Sequence, residues 1–316
     1  MKTTASSLVI VPSSSSSLST GRFPIVETFL SGRSRRTLEA YGQDLQDFSH
    51  FLGVKSSEEA ARSFLGRGKG EANATAHAYR AELLERGLSP STVNRRLAAL
   101  RSLVKLSRLF NLVDFSLDVE SVKSTPYRDT RGPGRAGVRL LLDELERRQD
   151  PKAKRDRALV RLLYDLALRR GEAVALDVKD VDLKAGTVSI LGKGRTERET
   201  LTLPEATKAA VESWLAVRGS EDGPLFVNFD RAGKGSRLAG RSVARILDAL
   251  GEEVGLKVRP HGLRHAAITE ALDKTNGNVR AVQRFSRHRD SRVLGRYDDN
   301  RQDLGGEVAR LVASGV

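Results

Sequence analysis

The sequence predicts a mainly α protein of two domains. The first is all-helical; the second is mostly helical with a small antiparallel sheet, an α+β arrangement. Three observations predict it. Apolar residues recur at spacings of three and four along much of the chain, the mark of helices with one buried face. The period changes to two where Val188 and Ile190, then Leu201 and Leu203, flank a turn holding Gly192 and Gly194, as in a β-hairpin. Breakers concentrate between residues 118 and 136, at Pro126, Gly132, Pro133 and Gly134, as a linker requires.

The 316 residues suffice for two domains with sizeable cores. Residues 1–20 hold a serine run and are expected to be disordered. Their apolar stretch, Leu8 to Val11, is shorter than the about 7–15 residues of a signal peptide core. The first domain is expected over residues 21–117. Leu38, Tyr41, Leu45, Phe48 and Leu52 share one helical face, and "HAYRAELLERGLSP" predicts a second helix closed by Gly87. Ser89, with Pro90 at the first helical position, opens a third. Residues 95–110 are a fourth element, with Leu97, Leu100, Leu103 and Val104 buried. Its cations, Arg95, Arg96, Arg101, Lys105 and Arg108, have no acid among them; contact with a DNA backbone is preferred to a merely solvated face.

Residues 118–136 are expected as a linker and 137–316 as the second domain. "GVRLLLDELERR" and "DRALVRLLYDLALRRGEAVAL" are helical in pattern and precede the hairpin. Pro204 opens a helix whose Trp214 belongs in the core, and helical patterns run from Gly240 to the end. Arg241 and Arg245 there are candidates for DNA contact, to phosphates rather than bases.

Lysine and arginine total 54 against 40 acids, a net charge of +14. Such a field attracts polyanions, DNA and RNA foremost. No apolar run approaches the about 20 residues needed to span a bilayer, so no membrane partner is expected. Cysteine is absent, which excludes disulfides and thiolate chemistry and suits a cytoplasmic setting.

Four segments carry candidate chemistry. "LALRRGEAVAL" places Arg169 near the end of an apolar helix with Glu172 in reach, a pair that could also be a plain salt bridge. "LGKGRTERE" puts Lys193 at a glycine-flanked tip; it is not a phosphate-binding P-loop. "HGLRH" sets His261, Arg264 and His265 at helical spacings of three and four. No glutamate or cysteine completes a zinc site there, and no metal is expected; arginine beside histidine suits a phosphate. In "SRHRDSRVLGRYDDNR", Tyr297 follows His288 by nine residues. Together these groups suit metal-free attack on a phosphodiester. A phenol with an ordinary pKa near 10 needs cations to stabilise its oxyanion, guanidinium and imidazolium here. A lysine or histidine protonates the departing oxygen, and a covalent phosphotyrosine results. No ATP and no other cofactor is required.

This ordered set resembles the tyrosine recombinase, or phage integrase, family and its Xer-like bacterial members, from about residue 21 onward. "ALRRGE" is similar to the family's first arginine box, "GKGRTERE" to its hairpin lysine, "HGLRH" to its H-x-L-R-H box, and "RH" to the histidine of its "LGH". The resemblance implies catalytic roles for Arg169, Lys193, His261, Arg264, His288 and Tyr297, with Glu172 and His265 supporting. Arg170, Ala266 and Arg287 depart from the pattern, Arg287 at a position often held by glycine. The family further implies an N-terminal SAM-like core-binding domain and a clamp on duplex DNA. It implies a 3′-phosphotyrosine with Lys193 protonating the leaving 5′-hydroxyl, and a Holliday junction made by a homotetramer on two sites, with or without a partner recombinase. Leu304, Val308, Leu311 and Val312 share a helical face expected to dock on a neighbouring protomer. The alternatives are a type IB topoisomerase and a catalytically silent DNA-binding regulator.

Overall fold

The computed structural model describes residues 24–123, 132–148, 150–192, 197–230, 233–297 and 304–314. The serine-rich tail, Pro126, Tyr127 and Lys193 lie outside them. Contacts divide the chain into two compact units, Met1–Tyr127 and Arg128–Val316.

Five helices build the first unit: α1 (Ile25–Leu30), α2 (Arg35–Phe51), α3 (Ser57–Leu65), α4 (Gly68–Glu85) and α5 (Pro90–Leu109). Ser34 and Ser56 cap α2 and α3 by accepting the backbone N–H of Thr37 and Glu59, donors that a helix start leaves orphaned. Gly87 closes α4 with φ +70°, as Leu88 N–H reaches Leu83 O at 3.2 Å and Gly87 N–H reaches Leu84 O at 2.9 Å. That left-handed turn is why a glycine stands there. Phe48 is the centre of the core, with the rings of Phe64 and Tyr79 at 5.2 and 5.0 Å. Leu97, Leu100, Leu103 and Val104 are buried as their spacing predicts, whereas Leu38, at the start of α2, is exposed.

The expected third and fourth helices are one, α5, because nothing after Pro90 interrupts the helix. Two short helices, α1 and α3, escaped the periodicity. The buried face of α3 includes Ala60 and Ala61, whose small side chains leave a weak apolar signal. Part of the segment expected as linker belongs to the first unit. Val119 is buried in its core, and the Asn94 side chain donates to Val122 O at 2.9 Å and accepts Val122 N–H at 2.8 Å.

The second unit comprises α6 (Gly134–Arg148), α7 (Pro151–Asp165), α8 (Arg170–Ala175), a three-stranded antiparallel sheet, α9 (Glu205–Arg218), α10 (Gly240–Glu253), α11 (Pro260–Lys274), α12 (Val279–Ser286) and α13 (Leu304–Ala313). The strands are β1 (Val181–Asp182), β2 (Thr187–Leu191) and β3 (Arg198–Thr202), with Val188 opposite Leu201. Val188 and Ile190 point into the core, as alternation requires. Helix α7 is central: it packs on α6, α8, α9 and α11. Its Leu159, Leu162 and Leu163 meet Trp214 and Phe226, and the Trp214 indole donates to Leu225 O at 2.8 Å.

One expectation fails here. The pattern over residues 156–176 suggests a continuous helix, but the chain leaves α7 at Asp165 and re-enters α8 at Arg170. The break is a buried turn in which Ala167 has φ +45°. Gly132 crosses the first turn of α11 so closely that a Cβ there would sit 1.8 Å from Gly262 O and 2.9 Å from Ala266 Cβ. Among the described residues, no helix is long and apolar enough to cross a membrane.

Candidate active site

The turn after α7 delivers Arg169 to the first position before α8. Glu172 holds it twice: the Arg169 backbone N–H donates to Oε2 at 2.8 Å and its guanidinium to Oε1 at 2.7 Å. Burial pushes the Glu172 carboxyl up, but the two Arg169 hydrogen bonds and the charges of Arg287 and Arg169 outweigh it and leave its pKa below the ordinary value. The Arg169 side chain stays about a third open, at 31% exposure, with its carboxylate support beneath.

Helix α11 starts at Pro260 and sends His261 to the surface, while Arg264 and His265 point inward. The buried Arg264 guanidinium donates to the carbonyls of Ala167 and Ser286. Burial, then the neighbouring charges of Arg169 and Arg287, pull its pKa down to about 10, so it remains a cation at neutral pH.

Helix α12 ends at Ser286, and Arg287 turns the chain with φ +57°. His288 follows, its Nδ1 2.9 Å from the Ser286 hydroxyl and its carbonyl accepting from Gln283 at 3.1 Å. Burial and then the charges of Arg264, Arg169, Arg287 and His261 push the His288 pKa down to about 4. The ring is therefore neutral at pH 7 in the protein without DNA. The His261 pKa is lowered by partial desolvation of its otherwise exposed ring and by the charge of Arg264.

Tyr297 caps the 3-10 turn Ser291–Arg296. Its ring lies 4.6 Å from that of His265 and 5.7 Å from that of His288. It is 5% exposed and packs with Ala167, Ile268, Val282 and Leu294. The Thr269 hydroxyl donates to its carbonyl at 3.3 Å. Tyr297 is thus packed among apolar side chains with its ring against two histidines.

The structure brings Arg169, Glu172, His261, Arg264, His265, His288 and Tyr297 together within the second unit. Lys193 lies outside the described residues, although β2 and β3 on either side of it form the expected hairpin. The candidate DNA contacts of α5 divide. Arg95 pairs with Asp44, Arg96 with Asp44 and Asp47, and the Arg101 guanidinium donates to Val119 O. Lys105 and Arg108 are exposed, as are Arg241 and Arg245 on α10. Reasoning from the sequence missed Ser286 and the inward direction of Arg287. The signal for Arg287 was its standing where a glycine is usual.

The pattern of the phage integrase family matches residues 136–303, more than half of the chain, and that of the phage integrase N-terminal SAM-like domain matches residues 29–107. A tyrosine recombinase of Synechococcus elongatus is 40% identical over 288 residues, covering 89% of this chain and 90% of the relative. Tyrosine recombinase XerC of Pelobacter propionicus is 30% identical over 261 residues, 81% of this chain and 82% of the relative. Among solved structures, the Tn1549 transposon integrase in complex with transposon right end DNA shares the fold with a TM-score of 0.70. At 14% identity, the match covers 92% of this chain and all of that one. Sequence and fold agree, and the chain belongs to the phage integrase family as a Xer-like tyrosine recombinase.

Proposed function

We propose that this recombinase acts at specific sites on duplex DNA through a covalent phosphotyrosine at Tyr297. The observation that carries the reading is the gathering of two guanidiniums, two histidines and one phenol over a base of buried carbonyls and Glu172. Arg169 and Arg264 bind the non-bridging oxygens of the scissile phosphate and offset the charge that grows there. His261 and the neutral His288 add hydrogen bonds without adding charge. The Tyr297 hydroxyl loses its proton to water as its oxygen attacks phosphorus, the bond to the 5′-oxygen breaks, and Lys193 supplies the proton to the leaving 5′-hydroxyl. The 3′-phosphotyrosine conserves the bond energy, so the 5′-hydroxyl of a partner strand can reverse the step and create a Holliday junction. Because Tyr297 is 5% exposed, its ring moves out from against the histidines when DNA engages.

Strand exchange needs four active sites on two duplexes, and α13 supports an assembly of that kind. Val308, Leu311 and Val312 on it are 58, 71 and 67% exposed. An apolar face left open in this way fits head-to-tail docking on the next protomer. DNA as the partner is supported by the net charge of +14 and by the DNA held in the similar transposon integrase structure.

The test uses duplexes enriched from a random pool by binding, then nicked beside the bound site. The wild-type protein should give a denaturant-resistant adduct that Tyr297→Phe does not form. An adduct that survives this substitution, or none at all, overturns the reading. Relaxation of plasmid DNA without site preference would point to a topoisomerase instead.

A further inference from the structure

Position 287 adopts φ +57°, backbone that glycine enters freely and other residues enter at a cost. A glycine would satisfy the turn. An arginine stands there, and its side chain is turned inward and 3% exposed. Its guanidinium donates to Leu166 O at 3.0 Å, Phe285 O at 2.9 Å, Ala167 O at 2.9 Å and Glu172 Oε2 at 3.3 Å. Its own carbonyl faces back and accepts from the Arg169 guanidinium at 3.4 Å. Arg169, Glu172 and Arg287 therefore close a ring: arginine to carboxylate, carboxylate to arginine, backbone carbonyl to the first arginine. Ala167 O is shared by Arg287 and Arg264.

These hydrogen bonds join the segments that present the reacting groups. Leu166 and Ala167 belong to the turn that carries Arg169, and Phe285 lies three residues before His288. A buried cation without partners is costly, and every partner named here is a fixed backbone carbonyl or a carboxylate already committed to Arg169. We infer that Arg287 is a positioning residue for strand cleavage, locking the Arg169 turn and the His288 segment into one rigid base beneath the site. This rests on the proposed cleavage at Tyr297. Too buried to meet DNA, Arg287 acts through Arg169 and His288.

Two variants separate backbone from guanidinium. Arg287→Gly keeps the left-handed turn and removes all four donated bonds; Arg287→Lys keeps the charge but not the two-pronged geometry. Each is assayed on the nicked duplex for DNA affinity by anisotropy and for single-turnover adduct formation at saturating DNA. A merely structural role would lower the amplitude of the adduct phase, because fewer molecules are folded. Misplacement of the reacting groups lowers its rate. Arg287→Gly should bind within about 2-fold of wild type and form the adduct roughly 10- to 100-fold more slowly, with undiminished amplitude. Arg287→Lys should fall between it and wild type. If Arg287→Gly does not fold, the lysine variant alone decides. Wild-type rates in the folded variants, or reduced amplitude at an unchanged rate, overturn the proposal. Wild-type protein forming no adduct would instead remove the cleavage reading itself.

Discussion

The buried guanidinium of Arg264 donates to the carbonyl of Ala167, the residue whose positive φ breaks the chain between α7 and α8. One side chain thus serves both the proposed phosphate site and the turn that carries Arg169. Arg264→Ala removes the donor to Ser286 O and one of the two donors to Ala167 O, which keeps Arg287, at a cost of about 1–3 kcal/mol for a buried carbonyl left short of its partner. Adduct formation should disappear, and thermal unfolding should begin several degrees lower. An Arg264→Ala protein as stable as wild type would show that the turn stands without it.

Acid should weaken the fold through His288. Its folded-state pKa is about 4, against 6.5 for an ordinary histidine. Between these values the unfolded chain takes up a proton that the folded one refuses, so stability is full above about pH 6.5 and falls toward pH 4. His261 acts in the same sense. The urea midpoint should fall between pH 7 and pH 5, and His288→Asn should flatten that slope. An unchanged slope in the variant would refute the assignment.

Gly132 and Gly171 should respond to alanine with opposite signs. At Gly132 the new Cβ would meet Gly262 O at 1.8 Å, an overpacking that costs about 1–3 kcal/mol. At Gly171, inside α8, it would meet nothing within 4 Å and should gain up to about 1 kcal/mol of helix propensity. Denaturant titration of the two proteins measures both.

The cations of α5 should also divide by role. Lys105→Ala and Arg108→Ala should each lower the slope of log affinity against log salt by about 0.9 for every phosphate left without its cation, with stability unchanged. Arg96→Ala should instead destabilise the first unit by about 1.5–3 kcal/mol, because Arg96 holds Asp47 and the buried Asp44. Anisotropy across a salt series, with melting curves, distinguishes the two behaviours.

Much of this was legible because it is local. Spacing marked the buried stripe of α5, alternation marked the Val188 and Ile190 face of β2, and glycine marked the end of α4. The candidate groups from Arg169 to Tyr297 were legible as residue types in order, since the proposed phosphoryl chemistry needs cations, a proton donor and a nucleophile. What each arginine does was not. Arg95, Arg96 and Arg101 look alike along the chain, yet they are occupied by Asp44, Asp47 and the Val119 carbonyl. Those partners come from other segments of the first unit, which no local pattern reports.

By itself, the sequence determined the buried stripes of the longer helices, the hairpin and the chemical inventory of the candidate site, all of which follow from short-range periodicity and side-chain type. The tertiary structure decided where the helix through Ala167 stops, which way Arg287 turns and how Tyr297 lies against His265 and His288. The physical reason is that buried carbonyls must be paired. Those of the Ala167 turn find donors on arginines 97 and 120 residues away along the chain, a condition that exists only once the chain has folded.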